Sequence, residues 1–279
     1  MKINEIIQEK TQAQRKREIG GVKADQIFTR PEVAQEFASW VKSKPFYKDV
    51  KRMVEPAAGS RDLSRHFPGI EEYDLHPQHK GIKQADFLKS DHPHQEGTLL
   101  VMNPPFGQAS SLAIEFFNKA STFADYIALI GPRTFKRHSV QKQLNPVFDL
   151  VDQYDLPRGA FYLPAEKAEG KDRKYDVPAV AQVWKRASEH RDVTPPRQTS
   201  DLFTTTRNPQ EADFAFRKKG RRAGQIITQD FEDANPNSFF FIKGDVAPWK
   251  KVDWLKLGND GMGARSIALS DIVQAIENA

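Results

Sequence analysis

The sequence predicts an α/β protein: a mainly parallel sheet with helices on both faces, followed by a small C-terminal α+β unit. Three observations predict it. Between residues 50 and 186, short apolar runs alternate with helical patterns, the alternation that builds a parallel sheet. The ends of the early runs gather acids, prolines and a glycine, at Glu55-Pro56-Ala57-Ala58-Gly59, Asp74 and Asn103-Pro104-Pro105. Near residue 186 the composition shifts to "RASEHRDVTPPRQTSD", a linker pattern that sets off the remainder.

Taken in order, residues 2–18 read as a charged helix that Gly20-Gly21 stops. "FTRPE" reads as a helix start, with Thr29 as cap and Pro31 in the first turn. The helix "EVAQEFASWVKS" sets Val33, Phe37, Trp40 and Val41 on one face. "KRMVEPAAGS" is a strand breaking into a loop, and "RDLSRHF" a helix after it. "IEEYDLHP" is a second strand, and "IKQADFL" holds a short turn. "TLLVMNPPF" is a third strand, and "SSLAIEFFNKASTF" a helix with Leu112, Ile114, Phe117 and Ala120 as its apolar set. "DYIALIGPRTF", "FDLVDQYDLP" and "PAVAQVWKR" are later strands, and "SFFFIKGD" is a buried strand of the C-terminal unit. The expected organisation is an N-terminal helix over 1–24, a main domain over 25–190 and a small basic region over 191–279.

Bulk properties narrow the function. No run approaches the 18 apolar residues of a membrane span, and the first 21 residues lack the apolar core of a signal peptide. The absence of cysteine excludes disulfides, thiolate zinc sites and cysteine nucleophiles, and a reducing cytoplasm is the expected location. The seven histidines show no metal-ligand spacing, so no metal is assigned. A net charge of +5 and a pI near 9.2 mildly favour a polyanionic partner.

The strand ends carry the chemistry. They hold Glu55-Pro56-Ala57-Ala58-Gly59, then Asp74, then Asp86-Phe87, then Asn103-Pro104-Pro105-Phe106. Ligands bind at such ends in open α/β sheets. Ala58 and Gly59 let a ligand approach the backbone. An acid ending the next strand can accept both hydroxyls of a ribose, and an acid followed by an aromatic can accept an amine hydrogen and cover an adenine face. The chain has neither G-x-G-x-x-G nor G-x-x-x-x-G-K-[ST], which disfavours a dinucleotide or a P-loop nucleotide. A ribose and adenine without phosphates, beside carboxylates, suit S-adenosylmethionine.

The order of these elements resembles the adenine-N6 amino-methyltransferases of the class I, Rossmann-like, S-adenosylmethionine-dependent fold, over roughly residues 25–186. "DQIFTRPEVA", with Phe28 and Thr29, is similar to the segment that contacts the methionine part of the cofactor. "VEPAAGS" resembles the first cofactor loop, Asp74 the ribose acid, and Asp86-Phe87 the adenine pair. "NPPF" matches the signature [DNS]-P-P-[YFW], and "FTRP" placed first is the gamma arrangement. The resemblance implies methyl transfer to the exocyclic amine of a flipped-out or unpaired adenine. Asn103 and the Pro104 carbonyl would accept the amine hydrogens, on a backbone that the two prolines stiffen. Phe106 would stack on the base, and Phe161, or Tyr162, would cover its other face.

Two basic runs are candidates for nucleic-acid phosphates: Arg133, Lys136, Arg137 and Lys142 after the fourth strand, and Lys218, Lys219, Arg221 and Arg222 in "RKKGRR". DNA is the favoured substrate, in a bacterial or phage-encoded modification or restriction-modification enzyme. RNA adenosine and protein glutamine-N5 are the alternatives, and a binding subunit without activity the last. A recognition region of about 90 residues is short for a long asymmetric DNA site. That fits a short site, relaxed specificity, a homodimer or RNA.

Overall fold

The computed structural model describes residues 27–163, 176–194, 197–255, 257 and 266–279. The helix expected over 2–18 lies outside them. The chain divides into two compact units, 1–131 with 147–190, and 132–146 with 191–279.

The first unit opens with β1 (Phe28–Thr29) and α1 (Pro31–Lys42). Arg30, not Thr29, is the residue that precedes α1, and no side chain caps the helix. Thr29 is taken up by strand pairing instead. Pro31 occupies the first turn, where its missing N–H costs nothing. Then follow β2 (Arg52–Glu55), β3 (Glu71–Asp74), β4 (Lys83–Gln84), β5 (Thr98–Met102), α2 (Ser111–Ala120) and β6 (Tyr126–Pro132). After α3 (His138–Gln141), which belongs to the second unit, come β7 (Phe148–Asp155), β8 (Phe161–Tyr162) and β9 (Ala179–Arg186).

Seven strands form one sheet in the order β4-β3-β2-β5-β6-β9-β7. β2 pairs in parallel with β3 on one side and β5 on the other, and β7 runs antiparallel to β9. The chain therefore winds outward in both directions from β2, a Rossmann-like α/β sheet with its switch point between β2 and β5. Helices cover both faces. Val33, Phe37 and Val41 of α1 share a core with Leu99, Val101, Ala128, Ile130 and Val183. Phe117 of α2 packs on Phe148 and on Trp184, the neighbour of Val183 and so on the opposite face. β5 is buried at all five positions, as a central parallel strand must be.

Two expected elements differ. "RDLSRHF" makes only a 3₁₀ turn at Ser64–His66, because Asp62, Ser64 and Arg61 spend their side chains on Tyr162 and Glu72 rather than on a helix. "IKQADFL" contains β4, which adds an edge to β3 through Tyr73 and Asp74.

The second unit is a four-stranded sheet, β10 (Phe203–Thr206), β13 (Phe239–Gly244), β11 (Phe214–Arg217) and β12 (Ile226–Ile227) in that order, with α4 (Ala247–Lys251) and α5 (Leu269–Glu277). Its core is aromatic: the Trp249 ring contacts those of Phe203, Phe214, Phe216 and Trp254. Residues 132–146 belong here. The Arg191 guanidinium donates to the carbonyls of Gln141, Leu144 and Asn145, tying the end of α3 to the start of the C-terminal stretch. Among the described residues no helix is long and apolar enough to cross a membrane.

Candidate active site

Glu55 ends β2 and Asn103 follows β5, so both stand at the switch point, where open α/β sheets bind ligands. The turn after β5 is forced by its own residues. Two prolines end the ladder, and Gly107 then adopts φ +70°. A Cβ at Gly107 would lie 2.9 Å from the Leu112 backbone nitrogen, so only glycine lets the chain enter α2.

Asn103 is held from two sides. Its amide nitrogen donates to the Ile27 carbonyl at 3.3 Å and to Thr29 Oγ1 at 3.1 Å. Because a carbonyl can only accept, the nitrogen must face residue 27 and the oxygen must face away. That oxygen, Oδ1, is buried and has no hydrogen-bond partner among the described residues. A buried acceptor without a donor costs about 1–3 kcal/mol, a cost that a donor from water or a ligand would relieve.

The strand that holds Asn103 also gathers the aromatics. β1 pairs antiparallel with β8, Phe28 opposite Tyr162 and Thr29 opposite Phe161. Phe106 and Phe161 meet edge to face, with centroids 6.1 Å apart and planes at 86°. Both rings are buried. They touch each other rather than standing as the two parallel walls of a slot, so a base between them requires the rings to part. Tyr162 donates its hydroxyl to Asp62 at 2.9 Å and lies 3.1 Å from Ser60 Oγ, and burial pushes its pKa up to about 12.

The cofactor candidates lie on the loops after β2 and β3. Gly59 has φ +48°, and a Cβ there would lie 2.6 Å from the Phe28 ring, so the ring and the loop fit only with glycine. Asp74 ties β3 to this loop: one carboxylate oxygen accepts the Gly59 N–H at 2.8 Å and the other the His76 N–H at 2.7 Å. Each oxygen keeps a further lone pair. Pro56 is buried and Ala57 half-buried. Glu55 is 2% exposed. Burial raises its carboxyl well above the usual range, a hydrogen bond with Ser64 opposing the shift, and its Oε2 has no partner among the described residues. Glu55 is thus not the solvated strand-end acid that its position alone suggests.

Asp86 is half-buried and pairs with Lys89 at 2.9 Å. The Phe87 ring is 2% exposed and packs on Phe116, Phe123 and His92. The helix residue Phe116 and the loop residue Phe123 draw it into the core. Leu75, directly after Asp74, is 52% exposed.

The basic candidates belong to the second unit. Arg137 donates to Ser266 at 3.2 Å, and Lys219 bridges the same serine through its backbone. Lys218 lies 4.2 Å from the centre of the Phe240 ring, and burial lowers its pKa. Lys219, Arg221 and Arg222 are exposed on the turn that follows β11. Arg133 and Lys136 are half-buried and Lys142 is exposed.

No family model matches the chain, and no curated protein does. Several solved structures are similar to part of it. A Pyrococcus horikoshii protein, described as a proposed RNA methyltransferase, is 15% identical over 58% of this chain and 88% of its own, with a TM-score of 0.44. The 23S rRNA methyltransferase ErmE is 17% identical over 58% of this chain and 71% of its own, with a TM-score of 0.38. The type I restriction-modification methyltransferase subunit of Streptococcus thermophilus is 17% identical over 59% of this chain and 46% of its own, with a TM-score of 0.41.

Proposed function

We propose that this protein transfers a methyl group from S-adenosylmethionine to the exocyclic N6 amine of adenine in a nucleic acid, DNA by preference. One observation carries the reading. Asn103 presents a buried acceptor without a donor, its amide locked by Ile27 and Thr29, where "NPPF" leaves the central strand.

The residues present fit the cofactor. Asp74 has a lone pair left on each oxygen for the ribose hydroxyls. The backbone of Pro56, Ala57 and Gly59 forms a close-approach loop, and the half-buried Asp86 would accept an adenine amine hydrogen. When bound, S-adenosylmethionine supplies an electrophilic methyl group on a sulfonium.

The chain then does three things for the amine. Asn103 Oδ1 accepts one of its hydrogens and the Pro104 carbonyl the other, which turns the nitrogen lone pair out of conjugation with the ring. Pro104 and Pro105 hold these acceptors so that they need not reorganise. Asn103 is uncharged, so it orients the amine without taking its proton; the proton leaves to water after the nitrogen–carbon bond has formed. Phe106 and Phe161 part to take the base, which must arrive flipped out or unpaired. The cationic runs of the second unit meet phosphates, and their excess charge supports a nucleic-acid substrate over a protein amide.

The test offers purified protein tritiated S-adenosylmethionine with duplex DNA, single-stranded DNA, ribosomal RNA and a protein extract in parallel, followed by digestion of the product. Label in N6-methyldeoxyadenosine is the expected result. Label in N6-methyladenosine moves the substrate to RNA, and label in glutamine overturns the reading.

A further inference from the structure

We infer that Thr29 is a positioning residue for Asn103: it sets the angle of the acceptor amide rather than holding the cofactor. The inference rests on the function proposed above.

Thr29 is 2% exposed, and its Oγ1 accepts from the Asn103 amide at 3.1 Å. The Thr29 hydroxyl is thus spent on the Asn103 amide. The Asn103 NH2 group has two hydrogens and two acceptors, the Ile27 carbonyl and Thr29 Oγ1. The first acceptor alone decides which end of the amide is oxygen. It leaves the amide plane free to rock about the Cβ–Cγ bond, and the second removes that freedom. A terminal amide torsion has only broad, shallow preferences, so this second anchor is what aims Oδ1. Both bonds also polarise the amide toward its oxygen and leave Oδ1 the stronger acceptor.

The anchor is itself fixed. Thr29 pairs with Phe161 in the ladder of β1 and β8, and the next N–H, of Arg30, donates to the Ala160 carbonyl at 2.9 Å. One short ribbon therefore carries the amide anchor on one strand and a candidate base-covering ring on the other. The β-branched Thr suits that ladder, and serine keeps the same acceptor.

The test uses full-length protein labelled with ¹⁵N at asparagine, in which the Asn103 NH2 pair is identified by its loss in Asn103→Ala. Three quantities are read: hydrogen exchange of that pair, turnover at saturating cofactor, and the Kd of S-adenosylmethionine by calorimetry. Thr29→Val keeps the shape and removes the acceptor. It is expected to speed exchange and to lower turnover, each about 10-fold, with Kd within about twofold of the parent. Thr29→Ser is expected to restore both. Unchanged exchange in Thr29→Val overturns the inference, and so does weakened cofactor binding with turnover intact. If Thr29→Val does not fold, Thr29→Ala against Thr29→Ser makes the same comparison. If the parent methylates none of the substrates offered, the proposed function fails, while the exchange of the Asn103 pair still decides whether Thr29 anchors it.

Discussion

The two units differ first in charge. Residues 132–146 and 191–279 hold 17 of the 42 lysines and arginines and 12 of the 37 acids. The other residues balance, 25 against 25, so the whole net charge of +5 belongs to the second unit. The stretch 132–146 alone holds four cations and no acid. The first unit is the reverse: it is neutral and buries its critical polar groups, among them Glu55, Asp62, Thr29 and the Asn103 oxygen. In the proposed function, fine positioning and long-range attraction would then come from different parts of the chain. Positioning a reacting amine needs groups held within a fraction of an ångström, which burial supplies. Drawing in a polyanion needs only unpaired surface charge within a Debye length.

The sharpest break in this comparison is Asn103→Ala. Methyl transfer should fall by about 10³-fold or more while the Kd of S-adenosylmethionine changes by less than about threefold, a split that turnover and calorimetry together resolve. Loss of cofactor affinity with transfer preserved would move the acceptor role elsewhere. Asp74→Ala should do the opposite, raising that Kd by about 10- to 100-fold, because removing both carboxylate oxygens also releases the Gly59 loop. Within the second unit, replacing Lys219, Arg221 and Arg222 by alanine should reduce the slope of log affinity for DNA against log salt by about 2–3 and leave the Kd of the small cofactor unchanged. An unchanged slope would assign the phosphate contacts to the 132–146 run.

The smallest effect concerns Glu55 and stability. Burial raises its pKa in the folded state, so the folded protein holds that proton more tightly than the unfolded chain does. The corresponding stability is present below the ordinary value of 4.5 and is lost as pH rises through the raised one. Glu55→Gln keeps the shape without the titration. Its Tm should gain on the parent by about 2–4 °C per kcal/mol as pH is raised from 5 to 8. A gap that stays constant across that range would mean that Glu55 does not titrate there.

The comparison also sorts what was legible in the sequence. The central strands were legible because they are apolar runs closed by a turn residue: "TLLVM" before Asn103 and "MVE" before Pro56 each land on a central strand of the sheet. The strand-end residues followed from the strands. The pairing of Phe28–Thr29 with Phe161–Tyr162 was not legible, because two-residue strands have no periodicity to read and the partners lie more than 130 residues apart. The bonds of Tyr162 to Asp62 and Ser60 were hidden for the same reason. The packing of Phe87 was hidden as well, because a two-residue signal cannot say which way a ring turns. Its direction is set by Phe116 and Phe123, which belong to a later helix and the turn after it.

The ribbon of β1 and β8 has one more consequence. Two residues on each side bury too little to order themselves, and a two-stranded sheet is marginal even when much longer. It stands because the rest of the unit covers it: Phe28, Thr29, Phe161 and Tyr162 are all buried, and Phe161 belongs to the core that α1 shares with the sheet. The Asn103 amide is therefore anchored by a ribbon whose own order depends on the core around it. A loss of packing beneath that ribbon would reach the Asn103 acceptor through Thr29 without touching Asn103 itself.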